Sequence, residues 1–145
     1  MICCTRRWTT LSLILMVPRT GLSCDTIEVL DAWIREPPPV VSVAAGYFTL
    51  KNTGSKSVVI ERIESSCCAE VAMHRVVGVR DQKHMAPMPK LLVPPNKIAS
   101  FTPGNAHLML VSPTEPLLHG QNVELSFICS DGTSIQVDFA VVYGQ

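Results

Sequence analysis

At 145 residues and 47% hydrophobic, the chain is long enough for one domain with its own core plus a short processed segment. Twelve basic residues balance twelve acidic ones, and no basic cluster offers a footprint for nucleic acid. No apolar run is long enough to span a bilayer.

The first stretch differs from the rest. Arg6 and Arg7 precede the short apolar run Leu11 to Val17, and the small residues Gly21 and Ser23 follow. Charge, apolar core and small residues stand in the order of a secretory signal peptide, which assigns residues 1–24 to a leader and 25–145 to the mature domain, with the cleavage point beside Cys24 left open. Removing Arg6, Arg7 and Arg19 leaves nine basic against twelve acidic residues, a net of −3. Cys24 stands where a lipidated first residue would, though Gly21-Leu22-Ser23 is a poor lipobox. Membrane attachment is expected only if Cys24 carries a lipid.

Beyond the leader, apolar residues recur with a period of two, the mark of half-buried strands. Thr26 to Trp33 reads as a first strand, and Glu36-Pro37-Pro38-Pro39 then interrupts pairing because proline has no N–H to donate. Val40 to Lys51 is a long apolar strand closed by the turn Asn52-Thr53-Gly54. Ser57 to Ile63 and Glu70 to Val77 continue the pattern, and Gly78 to Pro89 reads as irregular. Leu91 to Val93, Ile98 to Phe101 and His107 to Val111 are short strands separated by Pro- and Gly-bearing turns. Asn122 to Cys129 and Ser134 to Val142 flank Asp131-Gly132, a sequence favoured by type I′ hairpin turns. Short strands at regular spacing indicate an all-β sandwich or barrel.

Four cysteines remain after the leader: Cys24, Cys67, Cys68 and Cys129. An oxidising compartment permits disulfides, but sequence does not fix their pairing. The spacing C-x-x-C is absent, which argues against a zinc ribbon and a thioredoxin-type site. Cys67 and Cys68 on a regular strand would point to opposite faces. A burial or disulfide role for them, with Cys129 as one partner, is expected over a metal role.

Soft ligands cluster. Met73, His74, His84, Met85, Met88, His107 and Met109 include four of the six methionines and three of the four histidines. Singly, each reads as core filler or a hydrogen-bonded strand residue. Together they offer thioether and imidazole to one ion. His107 and Met109 are two apart on an expected strand and so share a face. Soft, neutral thioether sulfur selects Cu(I) over zinc, magnesium or calcium, and imidazole tolerates it.

The spacing resembles that of the periplasmic copper chaperones of the PCu(A)C type, which carry His, ten residues, Met, twenty-one residues, then His-x-Met. His74 is followed by ten residues and Met85, then by twenty-one and His107-Leu108-Met109. Asp31 to Arg35, Ala44 to Phe48 with Asn52-Thr53-Gly54, and Pro94-Pro95-Asn96 are similar to that family's other landmarks. The resemblance runs from about Ile27 to the C-terminus. It implies a cupredoxin-like Greek-key β-sandwich and a Cu(I) site of His74, Met85, His107 and Met109. Met73, Met88 and His84 would be packing or outer residues around it. It also implies a periplasmic, non-enzymatic carrier that passes copper to a protein such as a cytochrome c oxidase subunit or another copper chaperone. Arg75 stands where the family often has Met, and no His- and Met-rich tail follows for a second copper. Competing readings are a blue-copper electron carrier, which needs a Cys ligand, a thiol oxidoreductase using Cys67-Cys68, and a metal-free interaction sandwich.

Overall fold

The computed structural model describes residues 23–79 and 82–143. Most of the expected leader therefore lies outside the described residues. Among the described residues, helix is limited to one 3-10 turn at Cys24–Thr26, and no helix is long and apolar enough to cross a membrane. Ten strands make up the rest: β1 (Ile27–Arg35), β2 (Val43–Asn52), β3 (Val58–Glu64), β4 (Cys68–Val77), β5 (His84–Pro87), β6 (Leu91–Val93), β7 (Ile98–Phe101), β8 (Ala106–Pro113), β9 (Asn122–Cys129) and β10 (Ser134–Val142). The fold is all-β, as the alternation predicts.

Hydrogen bonding links the strands in the order β5-β4-β8-β2-β1-β10-β9-β3-β6, with β7 also on β2. The sheet is mixed, because β1 runs parallel to β10 while its other neighbour, β2, is antiparallel. It curls on itself so that β3 meets β4 across the interior. The inner face is apolar: Phe48 is ringed by Phe101, Phe127 and Phe139, with centroids at 4.4, 5.2 and 6.0 Å. Offset and edge-on packing suits the aromatic quadrupole. Ile34, Leu50, Ile60, Leu108, Leu110 and Leu125 are fully buried around them.

One buried polar side chain ties the turns together. Asn52 donates to the carbonyls of Lys56, Val93 and Pro94 and accepts from Thr26 Oγ1 and the Gly54 N–H. Its burial carries no penalty because both ends of the amide are satisfied.

Three expectations need correction. The Asp131-Gly132 turn is not type I′: Gly132 has positive φ and Asp131 does not, and the turn closes where the Gly132 N–H donates to the Cys129 carbonyl. The irregular stretch from Gly78 to Pro89 contains β5, which pairs with β4. The short, exposed β5 has too little alternation to read as a strand, and the pairing supplies what its sequence lacks. The cysteine pairing also differs: Cys24 bonds Cys129 across 105 residues, and Cys67 and Cys68 are free. Cys129 is thus not a partner for either. Cys67 lies in the turn before β4 and not on the strand, so its thiol meets that of Cys68. Burial, then the Cys67 neighbour, pushes the Cys68 thiol up to about 12. Sequence separation hid the Cys24–Cys129 bridge, since only the docking of the first turn against β9 and β10 brings the two together. A thioether lipid on Cys24 and this bridge exclude each other, because both use the same sulfur.

Closing so long a loop restricts the unfolded chain strongly. Replacing Cys24 and Cys129 together by Ser should lower unfolding stability by about 3 kcal/mol. Urea unfolding without reductant measures it, and a midpoint equal to that of the parent chain would mean the bridge does not form.

Candidate metal centre

The candidate ligands lie on three neighbouring strands, β5, β4 and β8. In the antiparallel pairing of β4 with β8, His74 stands directly opposite His107, and Ala72 opposite Met109. Paired residues share a face, as do residues two apart on one strand. His74, His107 and Met109 therefore share one face. On the other side of β4, Met85 pairs with Val76, two residues beyond His74. Met85 joins the same face. The intervening residues Met73, Leu108 and Leu110 point the other way and are buried in the core.

The ring centroids of His74 and His107 are 6.1 Å apart at an interplanar angle of 42°. An ion bonded to one nitrogen of each ring at about 2 Å fits between them. His74 Nδ1 is buried and has no hydrogen-bond partner among the described residues. An orphaned buried nitrogen costs free energy unless something takes its lone pair or proton. His107 is 8% exposed, and its pKa is lowered, first by burial. The Asn105 carbonyl opposes this by accepting a ring N–H, and His74 adds to the lowering. Burial thus favours the neutral imidazole, the form in which a ring nitrogen can ligate a metal.

Met109 is half-buried, while Met85 is 62% exposed on the edge strand. Among the described residues, no group of three or more His, Cys, Asp or Glu side chains could hold a metal. Two imidazoles and two thioethers on this face are a donor set suited to a soft monovalent ion.

The other residues singled out from sequence fall elsewhere. Met73 is buried on the core side, and Met88, whose N–H donates to the Met73 carbonyl, packs against the core. His84 pairs with Val77 and is exposed on the face opposite Met85. None of the three shares the face of the four. A groove of about 300 Å³ runs between Pro37–Pro39 and Pro116–Leu118, and none of the four lines it.

Sequence reasoning missed Gly78. It has φ +110°, a region costly for side-chain-bearing residues, and a Cβ there would lie 2.1 Å from the Gln82 carbonyl oxygen. Gly78 thus permits the reversal that returns β5 alongside β4 and sets Met85 on its row. A glycine at the end of an apolar alternation is the signal that was available.

A mixed β-sandwich with two imidazoles and two thioethers on one outer face defines a class of domain, and comparison with known proteins agrees on the fold. The family model described as "Putative lipoprotein LpqE-like" matches residues 27–141, and the chain belongs to that family. The chain is 26% identical to "Putative lipoprotein Lxx21020" of Leifsonia xyli subsp. xyli over 118 residues, covering 81% of this chain and 70% of that one. It is 30% identical to "Uncharacterized protein RP573" of Rickettsia prowazekii over 119 residues, covering 79% and 66%. Among solved structures, the copper-bound PCuAC domain from PmoF2 superposes with a TM-score of 0.71 at 19% identity, covering 82% of this chain and 94% of that one. CuI-DR1885 from Deinococcus radiodurans gives 0.61 at 20% identity, covering 78% and 75%. The fold is that of the PCuAC domains, the cupredoxin-like sandwich expected from the resemblance.

Gly78→Ala should open the β4–β5 hairpin while sparing β4–β8. Hydrogen exchange should then show β5 amides losing protection and β4 amides facing β8 keeping theirs. Unchanged β5 protection would show that Gly78 does not set the position of Met85.

Proposed function

We propose that the chain binds one Cu(I) through His74, Met85, His107 and Met109 and passes it to another copper protein outside the cytoplasm. One observation carries the reading: the β5-β4-β8 register sets all four donors on a single face. Two solved domains of the same fold are described as copper-bound and CuI-bound. The donors are neutral, so the ion keeps its charge and no thiolate is exposed to oxidation.

The protein is a carrier in this reading and not an enzyme. Release begins at Met85, which is exposed on an edge strand and is the donor an incoming ligand can displace with least rearrangement. The imidazoles, more deeply set, leave last. The recipient is a copper-accepting protein such as a cytochrome c oxidase subunit or a further chaperone. Export and a periplasmic location accord with the leader pattern, the lipoprotein family name and the Cys24–Cys129 bridge. The Cys24–Cys129 bridge supports a cleavage point ahead of Cys24. A blue-copper centre needs a Cys ligand, and Cys129, the late-strand candidate, is already bonded to Cys24.

Replacing His107 and Met109 by Ala should lower Cu(I) affinity by at least the ~100-fold that losing an outer partner of a metal ligand can cost. Titration against a competing Cu(I) chelator reads this, and unchanged one-to-one binding would remove the site assignment and leave a metal-free sandwich. Proton competition gives a second check. The lone pair that binds Cu(I) also binds a proton, so affinity falls as pH drops through the imidazole pKa. Because His107 lies below its ordinary value, its share of the loss begins below about pH 6.5. Affinity measured at pH 7 and pH 5 should fall, and a flat response would exclude imidazole ligation.

A further inference from the structure

The face that carries the four donors does not end at β8. Ala45 on β2 pairs with Met109, and Arg35 on β1 pairs with Ala45. Tyr47, two residues beyond Ala45, lies on the same face. It follows Gly46, whose partner is Leu108, and stands where β2 passes from β8 to β7. Trp33 pairs with Tyr47 in turn. Pro87, His74 and His107 thus pair across β5, β4 and β8, and Tyr47 and Trp33 pair across β2 and β1 on the same face, with Ala45 joining the two groups through Met109.

Tyr47 is only 7% exposed although it lies on the outer face. The Trp33 ring packs on it with centroids 4.5 Å apart, and the Arg35 guanidinium lies 5.9 Å from its ring centre. Backbone irregularity supports the arrangement. The β1–β2 register shifts between Leu30 and Trp33, and Asp31 within that shift has φ +51°. A bulge re-aims the side chains that follow it, and a non-glycine residue in this region persists only when its surroundings hold it. Here it sets Trp33 opposite Tyr47.

We propose that Tyr47 and Trp33 form an aromatic wall closing the β2 side of the copper site, with Tyr47 positioning His107 and excluding water from the ion. This rests on the four-donor reading above. The site then has one closed flank and one open flank. Tyr47 and Trp33 shut the approach over β2, and exposed Met85 leaves the approach over β5 open. An apolar, polarisable ring beside the site favours the less hydrated monovalent ion, because water access governs the stability of the higher oxidation state. Trp33 would be about two strand spacings, roughly 10 Å, from His107. It should therefore report loading.

The test uses the full chain with Trp8→Phe, so that Trp33 is the one remaining indole. Adding Cu(I) anaerobically should quench Trp33 emission in proportion to metal, stopping at one equivalent. Tyr47→Ala should weaken Cu(I) binding about tenfold and speed air oxidation of the bound ion, and Tyr47→Phe should restore both. Should Tyr47→Ala not fold, Trp33→Leu in the otherwise native chain gives the same oxidation readout. Normal one-to-one binding with unquenched Trp33, or with oxidation rates unaltered in the folded variants, overturns the wall alone. Failure of the parent chain to bind Cu(I) overturns the four-donor reading and the wall with it.

Discussion

The pairing of β4 with β8 in a single register is the constraint on which the rest depends. Sliding one strand by one residue would turn every side chain to the opposite face. The inner face prevents it. Met73, Leu108 and Leu110 are buried there, each contributing about 2 kcal/mol relative to exposure. Sliding β8 by one residue would forfeit about 4 kcal/mol from Leu108 and Leu110 and turn the His107 imidazole inward in their place. The hydrophobic core therefore sets the geometry of the polar face. His74 and His107 face one another because Met73 and Leu108, their neighbours, must face inward together.

This pairing gives the linear spacing a physical meaning. The ten residues between His74 and Met85 are the end of β4, the Gly78 reversal and the start of β5. The twenty-one residues between Met85 and His107 are an excursion. The chain leaves β5, adds β6 to β3 and β7 to β2, and returns as β8 on the free side of β4. Two strands placed elsewhere in the sheet thus separate donors that end on neighbouring strands. The length of the excursion is set by the strands it must lay down and not by the ion.

What the sequence disclosed follows from how local each feature is. The Asp131-Gly132 hairpin was legible in place, because its turn residues and its alternation lie within a few residues, but not in type: Gly132 alone of the two has positive φ, and Ser134 pairs with Ile128, one residue off the register a type I′ loop would set. The long strands were legible because one face of each is buried. The grouping of the four donors was legible only through spacing, since nothing local ties His74 to His107. β5 was not, because four mostly exposed residues leave no period to detect. The same holds for the Cys24–Cys129 bridge and for the placing of Tyr47 and Trp33 on the face of His107. Each depends on which strands become neighbours, and alternation within a strand carries no record of that.

In the proposed reading, a cation on the outer face also resolves an energetic conflict. A charge moved wholly into the interior would lose its hydration at a cost of several kcal/mol even after relaxation. A charge left fully in water would find no reason to stay. The observed gradient lies between: His107 is nearly covered, Met109 is half-covered and Met85 is open. Neutral donors at the covered end supply bonds without adding a second buried charge. The thioether at the open end can be exchanged without disturbing the sheet, because β5 touches the domain along β4 alone among its strand neighbours. On that reading retention and release would fall to different strands, and the edge position of β5 is what would separate them.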